Sequence, residues 1–166
     1  MTIKKAITEE EARTRLAALC ARGEHSQGEM DAKMRRWGLP AGVRERVGTW
    51  LADHRFTDDE RFARAYVRDK LTLSHWGRRK IEQGLWAKGI DRQTQEAVLG
   101  EVPDSDYIAA LRPLLRSKEE SLKAATDYER RQKLVRYALS RGFTFDIIRQ
   151  CIDGAEEMEE PEYLDT

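Results

Sequence analysis

Cysteine is scarce in this 166-residue chain: Cys20 and Cys151 are its only two, too few and too far apart for a metal-site pattern or a disulfide framework. A reducing compartment fits that usage. Four prolines and eleven glycines exclude a collagen-like chain and argue against a disordered one. No run approaches the roughly 18 apolar residues of a membrane span, and MTIKKAITEEEARTR is charged where a signal peptide would carry its apolar stretch. A cytoplasmic protein without a membrane is expected. The three histidines, His25, His54 and His75, are isolated and form no HxxxH or HExxH pair, so no zinc site is expected. There is no Walker loop, and Gly77, Gly84 and Gly89 are wrongly spaced for a dinucleotide fingerprint. Without a nucleophile beside a visible base, neither a catalytic site nor a cofactor is expected.

Charge is abundant instead. Thirty Lys and Arg balance thirty Asp and Glu, and charged residues reach 36% against a usual share of about 25%. The balance hides a division, because residues 153–166 hold seven acids and no base. That leaves 23 acids against 30 bases in residues 1–152, a net of +7 beside a net of −7. The acidic end is either a solubilising tail or an internal competitor for the basic body.

Helix starts recur as a Ser or Thr followed three residues later by Glu: Thr8 with Glu11, Ser26 with Glu29, Thr57 with Glu60, Ser117 with Glu120, and Thr126 with Glu129. Apolar spacing after them is helical, and alternation of strand length is missing. The fold class is therefore all-α. Pro40 suits the first turn of a helix and Pro103 a loop. Pro113 either kinks a helix begun near Asp104 or starts a new one.

A repeat emerges on aligning Gly38-Leu39, Gly89-Ile90 and Gly142-Phe143, 51 and 53 residues apart. Apolar residues precede each glycine by eight and four positions: Met30 and Met34, Ile81 and Leu85, Leu134 and Ala138. Each Gly is expected to supply a left-handed helix stop, with the next apolar residue packing back on the helix. Three three-helix units follow, at 8–54, 55–101 and 104–154, with an acidic tail at 155–166. Stacked neighbours would favour an elongated tandem array; the competing reading is one compact bundle.

Segment 61–80 has a net charge of +6, with Arg61, Arg64, Arg68, Lys70, Arg78, Arg79 and Lys80 opposed only by Asp69. Arg61, Arg64 and Arg68 recur at helical spacing, and neighbouring guanidiniums repel unless an anion joins them. The alternative is a solvated face paired with Asp58, Asp59 and Glu60. Trp76 offers either base stacking or packing, while Trp37, Trp50 and Trp86 are read as packing residues.

Phe56, Asp58, Asp59, Arg61, Phe62, Ala63 and Tyr66, followed by Gly77, Ile81, Leu85, Lys88, Gly89 and Ile90, resemble the pattern of the RecX regulatory family. A second motif matches at His25, Ser26, Glu29, Met30, Lys33 and Met34. Two departures stand out: Gly84 replaces an acid usual in the family, and residues 71–75 lack its Lys-Gly. The resemblance implies a non-enzymatic modulator, usually an inhibitor, that docks in the groove of the RecA recombinase filament on single-stranded DNA; a monomer is expected. It would touch RecA's ATPase, recombinase and co-protease functions, hence DNA repair, homologous recombination and the SOS response. Arg61, Arg64, Arg68, Arg78, Arg79, Lys80 and Lys88 are the expected contacts with filament acids or phosphates. A free-standing basic helical DNA-binding module is the alternative.

Overall fold

The computed structural model describes residues 5–161. Among these, nine α-helices and one 3-10 turn form and no strand does. The helices are α1 (Glu9–Arg22), α2 (Gln27–Arg36), α3 (Ala41–Asp53), α4 (Asp59–Thr72), α5 (Arg78–Ala87), α6 (Arg92–Gly100), α7 (Asp104–Ser121), α8 (Asp127–Ser140) and α9 (Phe145–Cys151). The 3-10 turn spans Ala155–Glu157. This is the all-α architecture expected from the periodicity.

The predicted caps divide by what else their side chains can reach. Thr8 with Glu11 and Ser26 with Glu29 are complete capping boxes, each satisfying two helix-end amides. Thr126 caps α8, but Glu129 reaches back to the Ala125 amide at 3.1 Å instead of to Thr126. Thr57 does not cap α4: Asp58 accepts from the Arg61 amide at 3.0 Å, while the Thr57 hydroxyl accepts from Gln27. Ser117 starts nothing, because α7 runs unbroken through Pro113 and past it. Pro103 occupies the N-cap of α7, as Pro40 does for α3.

All three aligned glycines are left-handed, with φ of +77°, +77° and +91° at Gly38, Gly89 and Gly142. Each forms the same double closure. The glycine amide donates to the carbonyl three residues back, and the following apolar amide donates five back, as in Leu39 to Met34, Ile90 to Leu85 and Phe143 to Ala138. Leu39, Ile90 and Phe143 are buried. Arg55 makes the same closure at the end of α3, at φ +58°, with Phe56 bonding back to Leu51. A non-glycine residue there is strained by about 1 kcal/mol.

The chain divides into two compact units. The first holds the residues up to Tyr66 together with Gly84–Val98. Its core joins Ala12, Leu16, Met30, Met34, Leu39, Val47 and Leu51, with Trp37 and Trp50 packed at the edge. At the start of α2 the Ser26 hydroxyl donates to the Lys88 carbonyl at 2.6 Å. Gly28 lies so close behind it that a Cβ would fall 2.5 Å from the same oxygen. Between them the Gln27 amide donates to Asp59 at 2.9 Å, and its side chain bridges the Gly48 carbonyl and Thr57. Burial raises the Asp59 carboxyl above its usual range, against the opposing pull of the Gln27 bond. Gly84 admits the Tyr66 ring: a Cβ there would overlap the phenol oxygen. The helix-propensity cost of about 1 kcal/mol at Gly84 thus accompanies a packing role.

The second unit holds Val67–Gln83 and the residues from Leu99 onward. Leu111, Leu134, Val135, Ala138, Phe143, Ile147 and Ile148 are buried in it. Here the start of α5 meets the glycine turn after α8: the Gly77 amide donates to the Arg141 carbonyl at 2.9 Å, and the Arg79 amide to Gly142 at 3.0 Å. A Cβ on Gly77 would fall 2.2 Å from the Phe143 amide nitrogen. Ser26 and Gly77 both stand twelve residues before their own helix-stop glycine, so equivalent positions make the two contacts. The 3-10 turn belongs to this unit, with Ala155 fully buried, so the acidic segment begins inside the folded body. Its last residues lie outside the described ones.

Candidate anion-binding interface

In the first unit Arg61, Arg64 and Lys88 each have a carboxylate. Arg61 lies 2.7 Å from Glu24, and its other nitrogen also donates to the Arg55 and Phe56 carbonyls, closing the end of α3. Arg64 pairs with Glu60 one helical turn away. Lys88 sits 3.4 Å from Glu29, which His25 also approaches at 3.8 Å. Glu60 is thus the only one of the three acids Asp58, Asp59 and Glu60 to pair with the stripe, since Asp58 caps the helix and Asp59 holds α2. Because the guanidiniums have carboxylates of their own, repulsion along the stripe is relieved within the fold.

The second unit carries the others. Arg68 is 71% exposed and only loosely placed against Asp69, at 3.7 Å. Arg78 bonds Glu82 at 2.9 Å along α5. Arg79 is exposed and fixed by its backbone at the glycine turn. The ammonium groups of Lys70 and Lys80 lie 4.6 and 4.8 Å from the centroid of the half-buried Trp76 ring. Two cations attracted to one indole concentrate positive charge at a fixed place. His75, at φ +53°, sets its Nδ1 3.0 Å from the Ala110 carbonyl, a turn-forming role.

Trp86 overturns its expectation as a packing residue: it is 71% exposed. Ile81 and Leu85 take the inward face of α5, and the next position is turned about 100° away. The helical phase, which the glycine alignment already fixes, was the signal for it. A second basic stretch was also missed, with Arg130, Arg131, Lys133, Arg136 and Arg141 and no acid over residues 130–141. Among the described residues no cluster of His, Cys, Asp and Glu could hold a metal ion, and no helix is long and apolar enough to cross a membrane.

Helices ending on a recurring glycine turn, with basic and partly paired surfaces, define a helical repeat protein. Family models for the second and third three-helix domains of RecX match residues 58–99 and 104–152. The chain belongs to the RecX family of regulatory proteins. A Regulatory protein RecX from Chlorobium limicola is 30% identical over 130 residues, covering 77% of this chain and 79% of that relative. One from Chromohalobacter salexigens is 32% identical over 141 residues, 84% of this chain and 89% of the relative. The crystal structure of RecX from Lactobacillus salivarius superimposes with a TM-score of 0.80 at 20% identity, covering 90% of this chain and 97% of that one. Another RecX crystal structure also gives 0.80, at 18% identity, over 86% of this chain and 72% of that one.

Proposed function

We propose that the protein modulates the RecA recombinase in the cytoplasm, by binding its filament on single-stranded DNA as a monomer built from tandem three-helix units at 8–54, 55–101 and 104–154. Family membership supports a regulatory role, and the exposed Trp86 carries the step to a macromolecular partner. A large indole left in solvent two residues from Lys88 is the kind of side chain that anchors an interface. The partner surface is acidic. Arg61, Arg64, Arg68, Arg78, Arg79, Lys80 and Lys88 make the contacts, and Arg61, Arg64, Arg68, Arg78 and Lys88 exchange the carboxylates they already hold as they do so. Binding is inhibitory and needs no chemistry at the site; occupying the filament limits growth and depresses ATP hydrolysis.

The test is the single-strand-dependent ATPase of RecA with substoichiometric protein. Wild type should depress it, and Trp86→Ala should weaken that effect about tenfold or more in half-effective concentration, as an interface anchor does. An unchanged ATPase and filament length with wild type would refute the proposal. Tight binding to bare DNA with a steep salt dependence, and none to the filament, would point to the free-standing DNA-binding module instead.

A further inference from the structure

Helix α8 carries the chain's second basic stretch, and its cations divide in two. Arg130 pairs with Glu119, Lys133 lies 3.1 Å from Glu129, and Arg141 donates to the Ser74 carbonyl at 2.6 Å. Arg131, whose Nε donates to the Asp127 carbonyl at 3.4 Å, and Arg136 line a cavity of about 700 Å³ together with Tyr128 and Gln132. Tyr128 is 60% exposed, and Gln132 donates to its hydroxyl at 2.9 Å, which orients the ring. A flat ring set beside two guanidiniums suits a single strand, offering one surface for a base and two donors for phosphates.

The opposite wall of this cavity is the start of the acidic segment, including Glu157, Met158 and Glu159. That segment is fastened in place. Ala155 is buried, Arg149 donates to the Met158 carbonyl at 3.4 Å, and the Arg131 guanidinium lies over Gly154, where a Cβ would fall 2.2 Å from it. Glu157 and Glu159 are therefore held along a groove whose other side is basic, with Glu156 and Glu160 next to them in the chain. Their charge matches that of a phosphate strand.

We propose that the α8 face formed by Tyr128, Arg131 and Arg136 binds a single-stranded polyphosphate chain, and that Glu156–Glu160 is its built-in competitor. The surface is distinct from the α4 and α5 residues assigned to the filament, and the idea does not depend on RecA. It is tested with the full chain and a fluorescent twenty-nucleotide thymidine strand by anisotropy. The variant E156Q/E157Q/E159Q/E160Q keeps Ala155 and the turn but removes the competing charge. It should bind about tenfold more tightly than wild type at low salt. Its slope of log affinity against log salt should steepen by about 1.4, the value for two further single-strand phosphates. Adding R131A/R136A to that variant should abolish the gain while helical content by circular dichroism stays unchanged. Unchanged affinity in the glutamine variant overturns the proposal. So does a gain that survives R131A/R136A, since net charge alone would then be acting. A gain for polyglutamate but none for the thymidine strand also overturns it, and makes the face a protein-binding one.

Discussion

Two contacts in this molecule use equivalent positions and solve the same problem with different chemistry. In the first unit a side chain bridges the gap: the Ser26 hydroxyl reaches the Lys88 carbonyl, and Gly28 provides the clearance. In the second unit nothing bridges it; Gly77 lets backbone meet backbone, and two amides donate directly to Arg141 and Gly142. Small residues are needed at both, but at positions two apart. A repeat thus preserves the approach of one helix start to the next glycine turn while leaving open which group makes the bond.

The largest effect that can break this comparison is expected at the backbone contact. Gly77→Ala puts a methyl 2.2 Å from a main-chain nitrogen that cannot rotate away, and should cost about 3 kcal/mol. Gly28→Ala, 2.5 Å from the Lys88 carbonyl oxygen, should cost about 2 kcal/mol. Hydrogen exchange should place the first loss in α8 and α9 and the second in α2 and the end of α5. Equal loss throughout both units in either variant would show that the two contacts are not local.

Ser26→Ala should cost about 1–2 kcal/mol by urea denaturation, because it removes a cap and a bond to a half-buried carbonyl together. A loss under half of that would mean that the hydroxyl is incidental and Gly28 alone sets the contact.

The smallest effect concerns Asp59. Burial raises its carboxyl, so the folded state disfavours the charge, and the group's contribution is fullest below the usual carboxylate range and declines as pH rises through the raised value. Asp59→Asn keeps an acceptor for the Gln27 amide without that charge. Relative to wild type it should gain stability between pH 4 and pH 7, by under about 1 kcal/mol. A loss of stability over that range would show that the carboxylate itself is required.

How much of this was legible depends on the range of each interaction. Gly38, Gly89 and Gly142 announce themselves because a left-handed stop and the apolar residue after it are local in sequence. Gly28 and Gly77 do not, since their reason lies 61 and 65 residues away, at Gly89 and Gly142. Thr57 and Asp58 are both good caps by type, and only the demand of Gln27 for the threonine hydroxyl decides between them. The basic residues were visible as charge, but Arg61 finds Glu24 in the loop between α1 and α2, and Lys88 finds Glu29 on α2. Trp86 was misread because composition outweighed helical phase. The second basic stretch was passed over because buried Leu134, Val135 and Ala138 interrupt it.

The two small positions that make these contacts have counterparts in α8, where Arg130 and Gln132 stand twelve and ten residues before Gly142. Long side chains stand there in place of the glycines that allow the close approach at Gly77 and Gly28. The turn that follows, at Gly154, meets the Arg131 side chain rather than main chain. In the language of polymers, the first two helix starts are reactive ends and the third is a chain terminator.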